Sequence, residues 1–140
     1  MRQKYIFPAV FDYSEPPGIS ISFPDFPGCV SEADDNEQAI NMARDALSGR
    51  IYILDRDGEK IPVPSDPAKL VKTLQPMQAI ALIDVNMQIF SAIIKGRSVN
   101  KMCTIPAWLA YEGKEAGINF SQTLQEALIQ KLGVKHKIPV

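Results

Sequence analysis

The sequence predicts an α+β fold in two parts, and three observations carry that prediction. Residues 4–13 and 19–23 are rich in β-branched and aromatic side chains, and the second run alternates apolar and polar as a half-buried strand does. Behind them Ala39, Ile40, Ala43, Ala46, Leu47, Ile51 and Leu54 recur at the spacing that gives a helix one apolar face. After residue 95 the pattern changes to one short apolar segment that stops at Pro106, followed by two helical stretches. The linker Gly96-Arg97-Ser98 marks the boundary, giving domains at 1–95 and 96–140.

The first domain reads β-β-β-α-β. Pro8 inside the first strand predicts an edge position, because proline cannot donate to a ladder on both sides. Residues 14–18, Ser-Glu-Pro-Pro-Gly, have turn chemistry and would close a hairpin. Pro24-Asp25-Phe26-Pro27-Gly28-Cys29 forbids a helix and predicts a shaped loop, with a short third strand over 29–31. Asp34 is the expected helix N-cap, with Glu37 three residues on, and Asp57-Gly58 ends the helix. Residues 61–76, with Pro62, Pro64, Pro67 and Pro76, predict an irregular connection. The continuous apolar run 79–85 predicts a central strand buried on both faces. Residues 87–95 predict a short helix.

Composition narrows the function. With 46% hydrophobic residues the chain has material for a core. A net charge of −1 does not suit a protein that merely coats nucleic acid, so any DNA contact must come from a local surface. Cys29 and Cys103 are far apart and form no CxxC pair, which argues against a disulfide framework or zinc site and for a reduced, cytoplasmic setting. The N-terminus lacks the apolar run of a signal peptide, and no stretch is long enough to span a bilayer.

The tail is the most telling part. Residues 100–105 predict a strand, Pro106 suits the first turn of a helix, and Gly117 suits its end. Asn119 then predicts the cap of a second helix, with Phe120, Leu124, Leu128 and Leu132 on one stripe and Gly133 at its end. One strand and two helices have no sheet partner and little interior. A two-fold dimer supplies both: two strands pair antiparallel under interlocked helices, the ribbon-helix-helix arrangement that reads the major groove. With Ile105 turned inward, Cys103 and Lys101 share its face, while Asn100, Met102 and Thr104 turn toward DNA. The dimer core would draw on Cys103, Ile105, Trp108, Leu109, Phe120, Leu124 and Leu128. Asn100 and Thr104 are candidates for base edges. Lys101, Lys95 and Arg97, with the helix N-terminus from Asn119 to Ser121, are candidates for phosphate.

Two passages resemble the HicB antitoxin family. One joins Tyr5-Ile6-Phe7-Pro8-Ala9-Val10-Phe11 to Ile19-Ser20-Ile21-Ser22-Phe23-Pro24-Asp25-Phe26-Pro27-Gly28-Cys29 and the helix holding Glu37-Gln38-Ala39. The other joins Thr104-Ile105-Pro106-Ala107-Trp108-Leu109 to Ala116-Gly117-Ile118-Asn119-Phe120-Ser121-Gln122 and Leu124-Gln125-Glu126-Ala127-Leu128. The resemblance implies a partial RNase H-like N-terminal domain without catalysis. That domain would bind a HicA-type toxin, a small mRNA interferase. It also implies a C-terminal domain that forms a homodimer, or a tetramer, and represses its own operon on operator double-stranded DNA. No cofactor and no membrane are expected. Toxin contact is expected at Phe23, Asp25, Phe26, Glu32, Asp34 and Asp35. The exposed face of the helix is expected to be acidic (Glu32, Asp34, Asp35, Glu37, Asp45), complementing a basic RNA-binding partner.

The same residues admit catalytic alternatives. A residual RNase H-like nuclease would need Asp12, Asp25 and Asp84 to converge on two metal ions, and no spacing motif supports that, so no metal is expected. His136, the one histidine, falls in the tail and is expected to be a solvated residue. Cys29 is expected to be a small buried apolar residue. A stand-alone ribbon-helix-helix regulator without a toxin is the remaining alternative.

Overall fold

A computed structural model describes residues 2–134. It is a mixed α+β structure, and among the described residues it holds one four-stranded antiparallel sheet and five α-helices. The chain divides into two compact units, the first ending at Ile94 and the second starting at Lys95. Among the described residues no helix is long and apolar enough to cross a membrane.

In the first unit, β1 (Lys4–Asp12), β2 (Ile19–Ser22) and β3 (Val30–Ala33) precede α1 (Asn36–Arg56). After it come a one-turn α2 (Pro67–Leu70), β4 (Gln78–Asn86) and α3 (Met87–Lys95). The sheet order is β3-β2-β1-β4. Strand alternation sends Phe7, Ala9 and Phe11 of β1, Ile19 and Ile21 of β2, and Ile83 and Val85 of β4 to one face, all buried. The α1 stripe Ala39, Ala43, Leu47 and Ile51, fully buried, closes over that face. Phe23, Phe26 and Cys29 fill the end of the same core, with the Phe7 and Phe26 rings 4.7 Å apart edge to face.

Four expectations need correction. β1 is an interior strand, not an edge strand. Pro8 is tolerated because β2 pairs only with Val10, Phe11 and Asp12, so the side of Pro8 that lacks an N–H has no ladder partner to satisfy. β4 is an edge strand and not a central one: Ile83 and Val85 are buried while Leu82 is 60% exposed. Its apolar run misled because alanines thin the pattern that alternation would have shown. The N-cap of α1 is Asp35, one residue later than expected. Asp35 has extended backbone and accepts from Gln38 N–H at 2.7 Å, while the Gln38 side chain accepts from Asp34 N–H at 2.6 Å. The proline-rich connection contains the short α2, capped by Asp66, followed by a 3-10 turn over Val71–Thr73.

In the second unit α4 (Ala107–Glu115) and α5 (Phe120–Leu132) lie where the sequence placed them. Asn119 accepts from Gln122 N–H at 3.0 Å, and Gly133 closes α5 with a left-handed φ of 65°. The expected strand over 100–105 is not there: residues 97–106 have no regular structure. A strand is defined by its ladder, and this segment has no partner within one chain.

Replacing Leu47, fully buried against the sheet, by alanine is expected to cost about 2–5 kcal/mol, read from the urea unfolding midpoint. Met77 holds a left-handed φ of 68° at the entry to β4. There an L side chain costs about 1–2 kcal/mol, so Met77→Gly is expected to raise the thermal midpoint.

Candidate functional site

Three side chains hold the Pro24–Cys29 loop in shape. Asp25 accepts from Ser65 N–H at 2.9 Å and from its hydroxyl, tying the loop to the proline-rich connection. Arg50 of α1 donates to the Pro27 carbonyl. Cys29 packs under α1, its thiol 3.6 Å from the Ala46 carbonyl. Burial pushes that thiol above its ordinary value against the pull of Arg50, which suits a structural cysteine and not a nucleophile.

The surface expected to meet a toxin divides accordingly. Phe23 and Phe26 are 3% exposed, so their side chains are core and present nothing to a partner; that part of the expectation is corrected. Asp25 is half-buried and serves the loop. Glu32, Asp34 and Asp35 are exposed, but Glu32 belongs to β3 and the two aspartates to the turn before α1, not to the helix face. With Glu15 and Gln38, Glu32 and Asp34 line a shallow polar hollow at the β2–β3 end.

The three carboxylates of the nuclease alternative do not converge. Asp12 sits opposite Gln78 on β4, whereas Asp84 sits opposite Ile6. Six residues along β1 separate the two positions by about 20 Å. The Ser14 hydroxyl, then Gln78 and the Ser14 N–H, hold the Asp12 carboxyl below its ordinary value. The Arg44 guanidinium, 2.9 Å away, does the same to Asp84.

In the second unit every tail residue named from the sequence is exposed or nearly so. Neither α4 nor α5 buries a residue. Ile105, Trp108, Leu109, Phe120, Leu124 and Leu128 are all partly or largely open, Trp108 at 62%. Asn100, Lys101, Met102, Cys103, Thr104, Asn119 and Ser121 are exposed as well. Gly113 was not singled out by the sequence: a Cβ there would lie 2.6 Å from the Phe120 ring, so glycine lets α5 begin close against α4. His136 lies outside the described residues. Charge also divides at the boundary. Up to Ile94 the chain has eight Lys and Arg against thirteen Asp and Glu, and from Lys95 on it has seven against three.

The sheet unit thus carries an acidic excess and the helical pair a basic one, and among the described residues Asp12, Asp25 and Asp84 stay apart. Residues 7–112 match the family model described as HicB-like antitoxin of bacterial toxin–antitoxin system, and the chain belongs to that family of non-enzymatic antitoxins. It is 38% identical over 58 residues to Antitoxin HicB 1 of Photorhabdus laumondii, covering 41% of this chain and 37% of that one. Antitoxin HicB 2 of the same organism is 34% identical over 65 residues, 46% of each chain. The matched stretch is thus less than half the length of either curated relative. In fold the chain resembles a chain of a toxin–antitoxin complex from Streptococcus pneumoniae, with a TM-score of 0.55 and 23% identity over 91% of this chain and 99% of that one. It also resembles the Burkholderia pseudomallei antitoxin HicB, with a TM-score of 0.53 and 20% identity over 91% and 98% of the two chains.

Removing the Arg44 guanidinium should release Asp84. The pair stabilises the fold above the ordinary carboxylate range, and its contribution is lost as pH falls through the lowered folded value. In an NMR pH titration, Arg44→Ala is expected to raise the Asp84 midpoint toward the ordinary value. An unmoved midpoint would show that another group holds it.

Proposed function

We propose that this antitoxin neutralises a HicA-type toxin by direct binding through its first unit, and that its second unit dimerises into a ribbon-helix-helix that represses its own operon. The observation that carries the reading is the tail without a core. An N-capped, glycine-ended α5 with an apolar stripe, beside an α4 that buries nothing, gains stability only when another surface covers both helices. A second copy covers them symmetrically, and it gives residues 100–105 the strand partner that they lack. The first unit would then be the partial RNase H-like domain.

Dimerisation would place the dimer-core side chains Cys103, Ile105, Trp108, Leu109, Phe120, Leu124 and Leu128 inside. Asn100, Met102 and Thr104 would turn to the groove, and Lys101 with the Asn119 and Ser121 helix terminus would meet phosphate. The basic excess after Lys95 supports DNA contact, and the acidic excess before it supports a basic toxin. Asp34 and Asp35, exposed beside Glu32, are the proposed points of that attraction.

Three experiments test this. Leu124→Glu with Leu128→Glu is expected to turn a dimer into a monomer in sedimentation and to abolish the operator gel shift. Asn100→Ala with Thr104→Ala is expected to keep the dimer and weaken that shift at least tenfold. Co-expression with the adjacent small reading frame is expected to restore growth and to yield a complex whose affinity falls as salt rises. A folded, monomeric tail in dilute solution would overturn the dimer reading.

A further inference from the structure

We propose that Met102 reads the C5-methyl group of thymine in the major groove of the operator, one Met102 from each copy of the tail dimer. The proposal rests on the reading of the second unit as a DNA-binding dimer, and it adds the base that the ribbon selects.

Met102 is 100% exposed, whereas Ile105, three positions on and next to the start of α4, is 45% exposed. That difference sets the parity of the ribbon. When residues 100–105 pair as a strand, successive side chains alternate, and the more sheltered Ile105 takes the inner face with Cys103. Met102 then takes the outer face with Asn100 and Thr104, which are exposed as well. The opposite parity is the costlier one. It would bury the Asn100 amide and the Thr104 hydroxyl in the dimer interior and turn Ile105 out to water.

An outer face of Asn, Met and Thr is chemically uneven. Asn100 and Thr104 offer donors and acceptors to base edges, whereas Met102 offers an apolar chain with no donor. The edge pattern of the major groove holds one apolar group, the thymine methyl; its other members are donors or acceptors. Against a donor or acceptor Met102 would cost that group its water and return no hydrogen bond. Against the methyl, apolar surface leaves water on both sides of the contact. The unbranched thioether chain has the reach and adaptability for that contact. Asn100, two residues away on the same face, matches adenine, whose N6 and N7 an amide can grip together. The outer face therefore selects A·T pairs, and the two-fold repeats the choice on the other strand. The Lys and Arg excess after Lys95 adds affinity for phosphate without sequence preference, which leaves the choice of base to these side chains.

The test uses the full chain and a duplex of the promoter region of its own operon, amplified in two forms, with thymine or with uracil. Uracil pairs as thymine does and lacks only the C5-methyl. Amplified DNA also contains no 5-methylcytosine, the other base with a methyl at that position. In gel shifts the parent is expected to bind the thymine duplex about tenfold more tightly than the uracil duplex. Met102→Ala is expected to bind the two forms within about twofold of each other, and Met102→Leu to keep most of the preference. Both variants are expected to sediment as the parent does. A parent without preference, or a Met102→Ala protein that keeps the parental ratio, would overturn the proposal and leave the repressor reading standing. A Met102→Ala protein that sediments as a monomer would place Met102 in the dimer interior, and the proposal would fail. A parent that binds neither form more tightly than random-sequence DNA would overturn the repressor reading and this inference with it.

Discussion

The sheet of this antitoxin has one helix to cover it, and much of the molecule's organisation follows from that shortage. A strand sends alternate side chains to opposite faces, so a single α1 can shelter only one set. Phe7, Ala9, Phe11, Ile21, Ile83 and Val85 take the sheltered side, and α1 meets them with alanines and long aliphatics in the order that a close-packed seam needs. The other side of the sheet leaves Ile6 and Leu82 more than half exposed, with Pro8 its fully buried exception.

The two units stabilise themselves in different ways. The first buries a continuous core within one chain, and its loops are held by specific polar contacts: Asp25 on Ser65, Arg50 on Pro27, Asp35 and Gln38 at the start of α1. The second relies on local helix signals, a cap at Asn119 and a left-handed glycine at 133, with no interior behind them. Capping is worth about 1 kcal/mol, and short helices in water need more than that to persist. The difference in burial, together with the opposite charge excess of the two units, gives the chain two surfaces of different chemistry.

Much of this was legible in the residues. The β-β-β-α-β order, α3, both tail helices and their caps come straight from periodicity and from glycine, proline and asparagine punctuation. What could not be read depends on neighbours. Pro8 signals an edge, but whether its missing N–H matters depends on where β2 stops. The run over 79–85 looks fully buried because alanine fits either face, and only the strand order shows that Leu82 is open. Phe23 and Phe26 resemble a binding loop in sequence, yet the turn at Pro27 and Gly28 folds both rings inward. Residues 100–105 have strand composition, but composition cannot supply the second strand. The tail residues proposed for dimer and DNA contact come from helix punctuation and strand alternation, whereas those proposed for toxin contact rest on charge, which marks a region without choosing contacts.

The loop clamp has one more consequence. Asp25 and Ser65 join two segments that flank the whole of α1 in the chain, so β3 and α1 sit inside a closed circuit whose fastening is a carboxylate and a hydroxyl. A ring closed by hydrogen bonds and not by a covalent link can open and re-form without chemistry. The linkage between the proline-rich connection and the sheet is therefore reversible, and it weakens where water or another carboxylate competes for Ser65.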